Sequence, residues 1–307
     1  MGTVWRATDV ETEATCALKF LRPEAAAQAK LRLRFLREGL VASRLRHSGL
    51  VDVYDAGEHE GAIFVAFEHL EGASLASVLS ADQPPPLRLF LRWMHELADT
   101  LCTTHAAGVV HRDLKPANLF VHRSSALGVP TLKVLDFGVS KVAFAEDGLR
   151  TRTGSFVGTP RFVAPEQIHS TATVDARADL WSMGAIMFAA LTGSFAHDAI
   201  DLAKLMLSIA NEAPRSIDEV RPDLPAPARA LVRDLLKPRP SRIRSAEIVR
   251  SRLAAMLEGE AVARDVRLPR RAASTAPRAE SAEQAELPDT VAAPIEAWAV
   301  ALPGSES

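Results

Sequence analysis

His111-Arg112-Asp113-Leu114-Lys115-Pro116-Ala117-Asn118 is followed downstream by Asp136-Phe137-Gly138 and then by Ala164-Pro165-Glu166, and the reading of this chain turns on that series. The residue types suit the movement of a phosphoryl group. Asp113 is an acid able to take a hydroxyl proton. Asn118 and Asp136 offer oxygen ligands to Mg2+, and Lys115 is a cation able to neutralise a phosphate in transfer. Asp-Phe-Gly alone would carry little weight; the three motifs in this order make coincidence a poor explanation.

Composition narrows the class. With 307 residues and 48% hydrophobic content, the chain is large enough to bury one or two cores. Lys and Arg number 36 against 38 for Asp and Glu, a net charge of −2, which lacks the basic excess of a nucleic-acid binder. The expected partners are therefore a nucleotide and proteins, with no nucleic acid and no membrane. The longest apolar stretch, Trp181 to Leu191, is interrupted by Ser182 and Gly184 and reads as a buried helix too short to span a bilayer. Cys16 and Cys102 show no metal-ligand spacing and no reason to pair, and Met1 to Asp9 lacks a secretory pattern, so a reducing cytoplasm is expected.

Periodicity divides the chain. From Val4 to Phe67 short strands surround one helix, the clearest being Cys16 to Phe20 and Ala62 to Phe67. Beyond Glu71-Gly72 the pattern turns helical, with Leu87 to Ala107 amphipathic after Pro84-Pro85-Pro86 and Asp179 to Leu191 more deeply buried. From about Glu258 onward Ala, Arg, Glu and Pro dominate without period, and that tail is expected to be disordered. The fold class is thus α+β, a small sheet-rich lobe over 1–67, a connection over 68–72 and a larger, mainly helical lobe over 73–257.

In the small lobe a helix from about Ala25 to Arg46 lines up Leu31, Phe35, Glu38, Ala42 and Leu45 on one stripe. Glu38 lies within that apolar stripe and needs a cation. Lys19 is the candidate, on the same strand face as Ala17. The pair would hold Lys19 against nucleotide phosphates while Ala17 packs on the base. The plain alternative is a surface glutamate on an Arg-rich helix. His47, His59, His69, His95, His105, His122, His169 and His197 show no paired metal spacing and read as surface or packing residues.

With Gly158-Thr159-Pro160 and Asp179-Leu180-Trp181-Ser182-Met183-Gly184 added, the chain resembles the eukaryotic-like Ser/Thr protein kinases of bacteria over roughly residues 1–257. The resemblance implies a two-lobed kinase fold with an antiparallel small-lobe sheet, ATP and Mg2+ as cofactors, and protein substrates. It implies that Asp113 orients the hydroxyl and that Asn118 and Asp136 hold metal. Lys115, Lys19 and Glu38 complete the catalytic set. Gly2, Val4, Ala17, Phe120, Glu68 and Leu70 would meet the nucleotide, with Phe67 at the back of its pocket. Asp179 would brace the catalytic loop, and Arg242 would pair with Glu166, although Ile243 replaces the proline usual after that arginine. Leu114 to Asn118 and Thr159 match the Ser/Thr pattern, while Phe162 replaces the usual tyrosine. Thr151 and Thr153 stand where similar kinases carry activating threonines, and a phosphate there would meet Arg112.

One departure from the family is large. Only Gly2 and Val4 match the phosphate-covering loop; the first strand and two glycines are absent from this sequence. The expectation is a sheet with an exposed edge, prone to association through the small lobe as a homodimer, and a wrong start or truncation as its origin. The rival reading is a pseudokinase or scaffold. A small-molecule phosphotransferase is disfavoured by Ala164-Pro165-Glu166.

Overall fold

The computed structural model describes residues 2–9, 12–123, 128–135, 160–169, 174–259, 268–269 and 291–292. The chain forms two compact units, one of residues 1–46, 50–71 and 280–307, the other of 47–49 and 72–279.

The first unit is built on strands β1 (Gly2–Thr8), β2 (Thr15–Leu21), β3 (Val53–His59) and β4 (Ala62–Glu68). β2 sits between β1 and β4, antiparallel to both, and places Lys19 opposite Val4 on one side and Val65 on the other. β3 and β4 form a hairpin closed by the two-residue Glu60-Gly61 turn, with both residues at positive φ as such a turn demands. Ile63, Phe64, Val65 and Ala66 are buried in succession, which explains why β4 reads as a continuous apolar run instead of an alternation.

The expected helix 25–46 is two helices, α1 (Pro23–Ala26) and α2 (Ala29–Arg44), separated at Ala27-Gln28. Proline at the start of α1 sets its first turn, and the extended conformation of Gln28 begins a second helix. α2 lays Phe35, Gly39 and Ala42 on the sheet. Gly39 permits the approach, since a Cβ there would come within 3.1 Å of Val65 Cγ2 and 3.2 Å of Ala56 Cβ. Arg32 anchors the same helix to β3 through Glu58, at 2.5 Å. Of Glu38 only the backbone, inside α2, is among the described features.

The outer edge of β1, expected to be bare, carries a short strand β8 (Val291–Ala292) from the segment expected to lack structure. It pairs in parallel, Ala7 with Val291 and Thr8 with Ala292, so the sheet order is β3-β4-β2-β1-β8 and the sheet is not wholly antiparallel.

The second unit opens with β5 (Gly72–Ser74) and α3 (Leu75–Ser80), where Ser74 Oγ accepts the Ser77 N–H and caps the helix. The long α4 (Leu87–Ala106) buries Phe90, Met94, Leu97 and Leu101 on one stripe, each contributing about 1.5–3 kcal/mol by its removal from water. β6 (Leu119–His122) and β7 (Thr131–Val134) join β5 in a small antiparallel sheet that sequence reading missed, because strands of three or four residues show no countable period.

After α5 (Pro165–His169) comes α6 (Arg177–Thr192), buried from Ala178 to Leu191 and ended by Gly193 in the left-handed conformation. Gly184 is required within it: a Cβ there would lie 2.7 Å from Leu235 Cβ of a neighbouring helix. Among the described residues the further α-helices are α7 (Leu202–Asn211), α8 (Ile217–Val220), α9 (Ala226–Leu235) and α10 (Ala246–Glu258). α10 packs along α4, where Arg250 meets Asp99 at 2.5 Å. Beyond it, Leu268 is buried and its N–H reaches Pro85 O at 3.3 Å. No helix among the described residues is long and apolar enough to cross a membrane.

Candidate active site

Residues 111–118 lie between α4 and β6, and this loop is held through Asp179, near the start of α6. Asp179 is fully buried, and its carboxylate accepts three hydrogen bonds: from Arg112 N–H at 2.8 Å, from His111 N–H at 2.8 Å and from His105 Nε2 at 2.9 Å. A buried charge is tolerable only with its lone pairs taken in this way. His105, expected to be a surface or packing residue, is therefore part of the support.

His111 is likewise buried. Its Nδ1 accepts the Asp113 N–H at 3.2 Å and its Nε2 donates to Leu135 O at 3.1 Å, an arrangement that assigns the ring proton to Nε2. Leu135 N–H in turn donates to Asn118 O at 2.9 Å. The residue just before Asp136 is thus tied to the loop through both its amide and its carbonyl. Asp136, Phe137 and Gly138 themselves, with Thr151 and Thr153, lie outside the described residues.

Three of the residues singled out in the sequence come together at one carboxylate. Lys115 Nζ is 3.1 Å from Asp113 Oδ2, and Asn118 Nδ2 is 3.3 Å from the same oxygen and 2.9 Å from Asp113 O. The Asp113 and Lys115 side chains are 24% and 33% exposed, open enough to meet a substrate and closed enough to be held. Asn118 commits its Nδ2 to Asp113, so the atom it has left for a cation is the amide oxygen, the kind of ligand that Mg2+ takes. Phe120, partly exposed in β6, follows two residues later opposite Ser74 and Lys133.

In the first unit Lys19 and Ala17 are partly exposed on β2, Ala17 opposite Arg6 and Phe67. Gly2 and Val4 lie on β1, with Val4 directly across from Lys19. Glu68 ends β4 and accepts the Asp52 N–H through Oε1 at 3.0 Å, while Leu70 follows in the connection, partly exposed.

A second group anchors α5. Arg242 is buried and donates to Glu166 at 2.6 and 3.1 Å, to Arg177 O at 2.7 Å and to Lys237 O at 3.0 Å, with its guanidinium 4.9 Å from the Trp181 ring centroid. Beside it Asp175 is held by Arg177 and Arg239; burial opposes its ionisation, but those hydrogen bonds prevail and keep its carboxyl well below the usual range. Gln167, which no motif marked, bridges α5 to the loop: its Nε2 donates to Arg112 O at 2.9 Å.

A buried acid thus organises a loop that gathers Asp, Lys and Asn around one carboxylate. The family model described as protein kinase domain matches residues 1–253. The serine/threonine-protein kinase pkn3 of Myxococcus xanthus is 34% identical over 263 residues, covering 83% of this chain and 48% of that protein. The serine/threonine-protein kinase PknB of Mycobacterium leprae is 34% identical over 197 residues, 63% of this chain and 30% of that one. The crystal structure of the PknI kinase domain from Mycobacterium tuberculosis aligns with a TM-score of 0.62 at 25% identity, over 84% of this chain and 90% of that domain. The chain belongs to the protein kinase domain family. It spans about half or less of the length of these two curated relatives.

Proposed function

We propose that this chain transfers the γ-phosphoryl group of ATP to serine or threonine hydroxyls of protein substrates. The observation that carries the reading is the Asp113 carboxylate, held by Lys115 and Asn118 on a loop anchored through Asp179. Asp113 orients the hydroxyl and accepts its proton. Lys115, already within hydrogen-bonding distance of that carboxylate, stabilises the charge on the group being transferred. Lys19, Ala17, Val4 and Gly2 meet the nucleotide, Phe67 backs its pocket, and the backbone from Glu68 to Leu70 meets the base. Asn118 and Asp136 would hold Mg2+. Bound Mg2+ supplies charge neutralisation on the phosphates.

The relatives named as serine/threonine kinases support this choice of hydroxyl. A switch at Thr151 and Thr153 is part of the reading: Arg112 Nε is buried without a hydrogen-bond partner among the described residues, which suits a guanidinium that receives a phosphate. Free Cys16 and Cys102 suit a reducing cytoplasm, and burial pushes the Cys102 thiol up to about 11, away from its reactive form.

The test is incorporation of labelled phosphate from ATP into the chain and into a generic basic protein. Lys19→Met and Asp113→Asn should each lower transfer on the order of a thousandfold with the fold intact. Transfer that persists in either variant excludes the assignment of that residue. An inactive parent chain would favour the scaffold reading.

A further inference from the structure

Among the described non-glycine residues, Glu13, Glu60 and Arg112 have positive φ. The two glutamates are exposed, where an irregular backbone is readily accommodated. Arg112 is different: at φ 63 it lies in the second unit's interior support, immediately before Asp113. An L residue with a long side chain resists this conformation, and it persists only where its surroundings over-determine it.

Those surroundings are identifiable. Asp179 Oδ1 takes the Arg112 N–H at 2.8 Å, which fixes the entry to the residue. The exit is the planar peptide unit joining Arg112 to Asp113, and both of its polar groups are held. Its N–H, belonging to Asp113, points to His111 Nδ1 at 3.2 Å, and its C=O, belonging to Arg112, accepts from Gln167 Nε2 at 2.9 Å. A peptide plane gripped at both edges cannot rotate, and rotation of this plane is the motion that would swing Asp113 away. Gln167 is suited to the task. It is 8% exposed, and its Oε1 accepts the Ala164 N–H at 3.1 Å, so the two ends of its carboxamide are assigned unambiguously.

We propose that Gln167 is a positioning residue for phosphoryl transfer: its carboxamide clamps the Arg112 carbonyl, holds the left-handed turn and so aims Asp113. Because Gln167 stands one residue after Glu166, the clamp also makes the geometry of Asp113 depend on the docking of α5. The inference rests on the kinase reading for its kinetic consequence, but not for its structural one.

The experiment compares Gln167→Glu and Gln167→Met with the parent chain. Glutamate keeps an oxygen for the Ala164 N–H and loses only the donor toward Arg112; methionine loses both bonds at similar volume. Both variants should lower kcat on the order of tenfold to a hundredfold, as a misplaced reacting group does, while KM for ATP stays within about twofold. Amide hydrogen exchange over Arg112 to Leu114 should quicken in both, with α4 and α6 unchanged. A Gln167→Glu variant with parental kcat, or with parental exchange over those amides, overturns the clamp and leaves Gln167 as a local cap of α5. If the parent itself transfers no phosphate, the kinase reading fails on that result alone, and the exchange measurement still decides whether the clamp exists.

Discussion

Asp179 is fully buried, and its carboxylate accepts from His111, Arg112 and His105. Asp179→Asn preserves shape but turns an N–H2 group toward one of these donors, leaving a buried donor unsatisfied. The expected cost is roughly 1–3 kcal/mol of stability, with a fall in kcat because the backbone before Asp113 loses its anchor. Denaturant unfolding and steady-state kinetics measure the two effects, and an unfolding energy equal to the parent's would remove Asp179 from its supporting role. Asp113, Lys115, Asn118 and Asp179 were singled out in the sequence, since each stands within a run whose members identify one another. His105 and Gln167 were not. A lone histidine or glutamine carries no local sign of its partner, and both acquire their meaning from groups brought in by another element.

At the scale of elements, the periodic helices α4 and α6 were readable because each has enough turns to display its buried face. The division of α1 from α2, and the strands β5, β6 and β7, escaped because each is decided within a few residues. α5 is short as well, and besides Gln167 its hold on the second unit includes the pair of Glu166 and Arg242, 10% and 0% exposed. Arg242→Met leaves Glu166 charged without its partner and should cost roughly 3–5 kcal/mol. The double variant with Glu166→Gln should cost less than the sum of the single changes, since the stranded carboxylate is gone. A double-mutant cycle by denaturant unfolding checks this; strict additivity would mean that the pair contributes no coupling.

At the scale of the whole molecule, acid is the condition to which these pairs respond together. Asp99 is depressed by its hydrogen bond from Arg250, against which burial works, and further by His47. Asp175 and Asp234 are each opposed by burial but depressed overall, the first by Arg177 and Arg239, the second by Lys237 and Arg252. A carboxyl whose folded value lies below its unfolded value, about 4, stabilises the fold fully above that pH. The contribution is lost as pH falls through the folded value. The melting temperature should therefore drop below about pH 4, and Asp175→Asn should flatten that acid slope while lowering stability at neutral pH. A slope identical in the variant and the parent would show that Asp175 carries none of it. The residues by themselves determined the α+β class, the family and the long helices, and they singled out the acid, lysine and amide of the proposed site, because helical period and motif chemistry are properties of neighbours along the chain. Only the tertiary structure decided that a tail segment pairs with β1, that Gln167 reaches the peptide group leading into Asp113, and that His105 joins the His111 and Arg112 amides on Asp179. Those partners are chosen by distance in space, through close approaches such as Gly184 against Leu235, and no stretch of sequence records a distance to a residue far away in the chain.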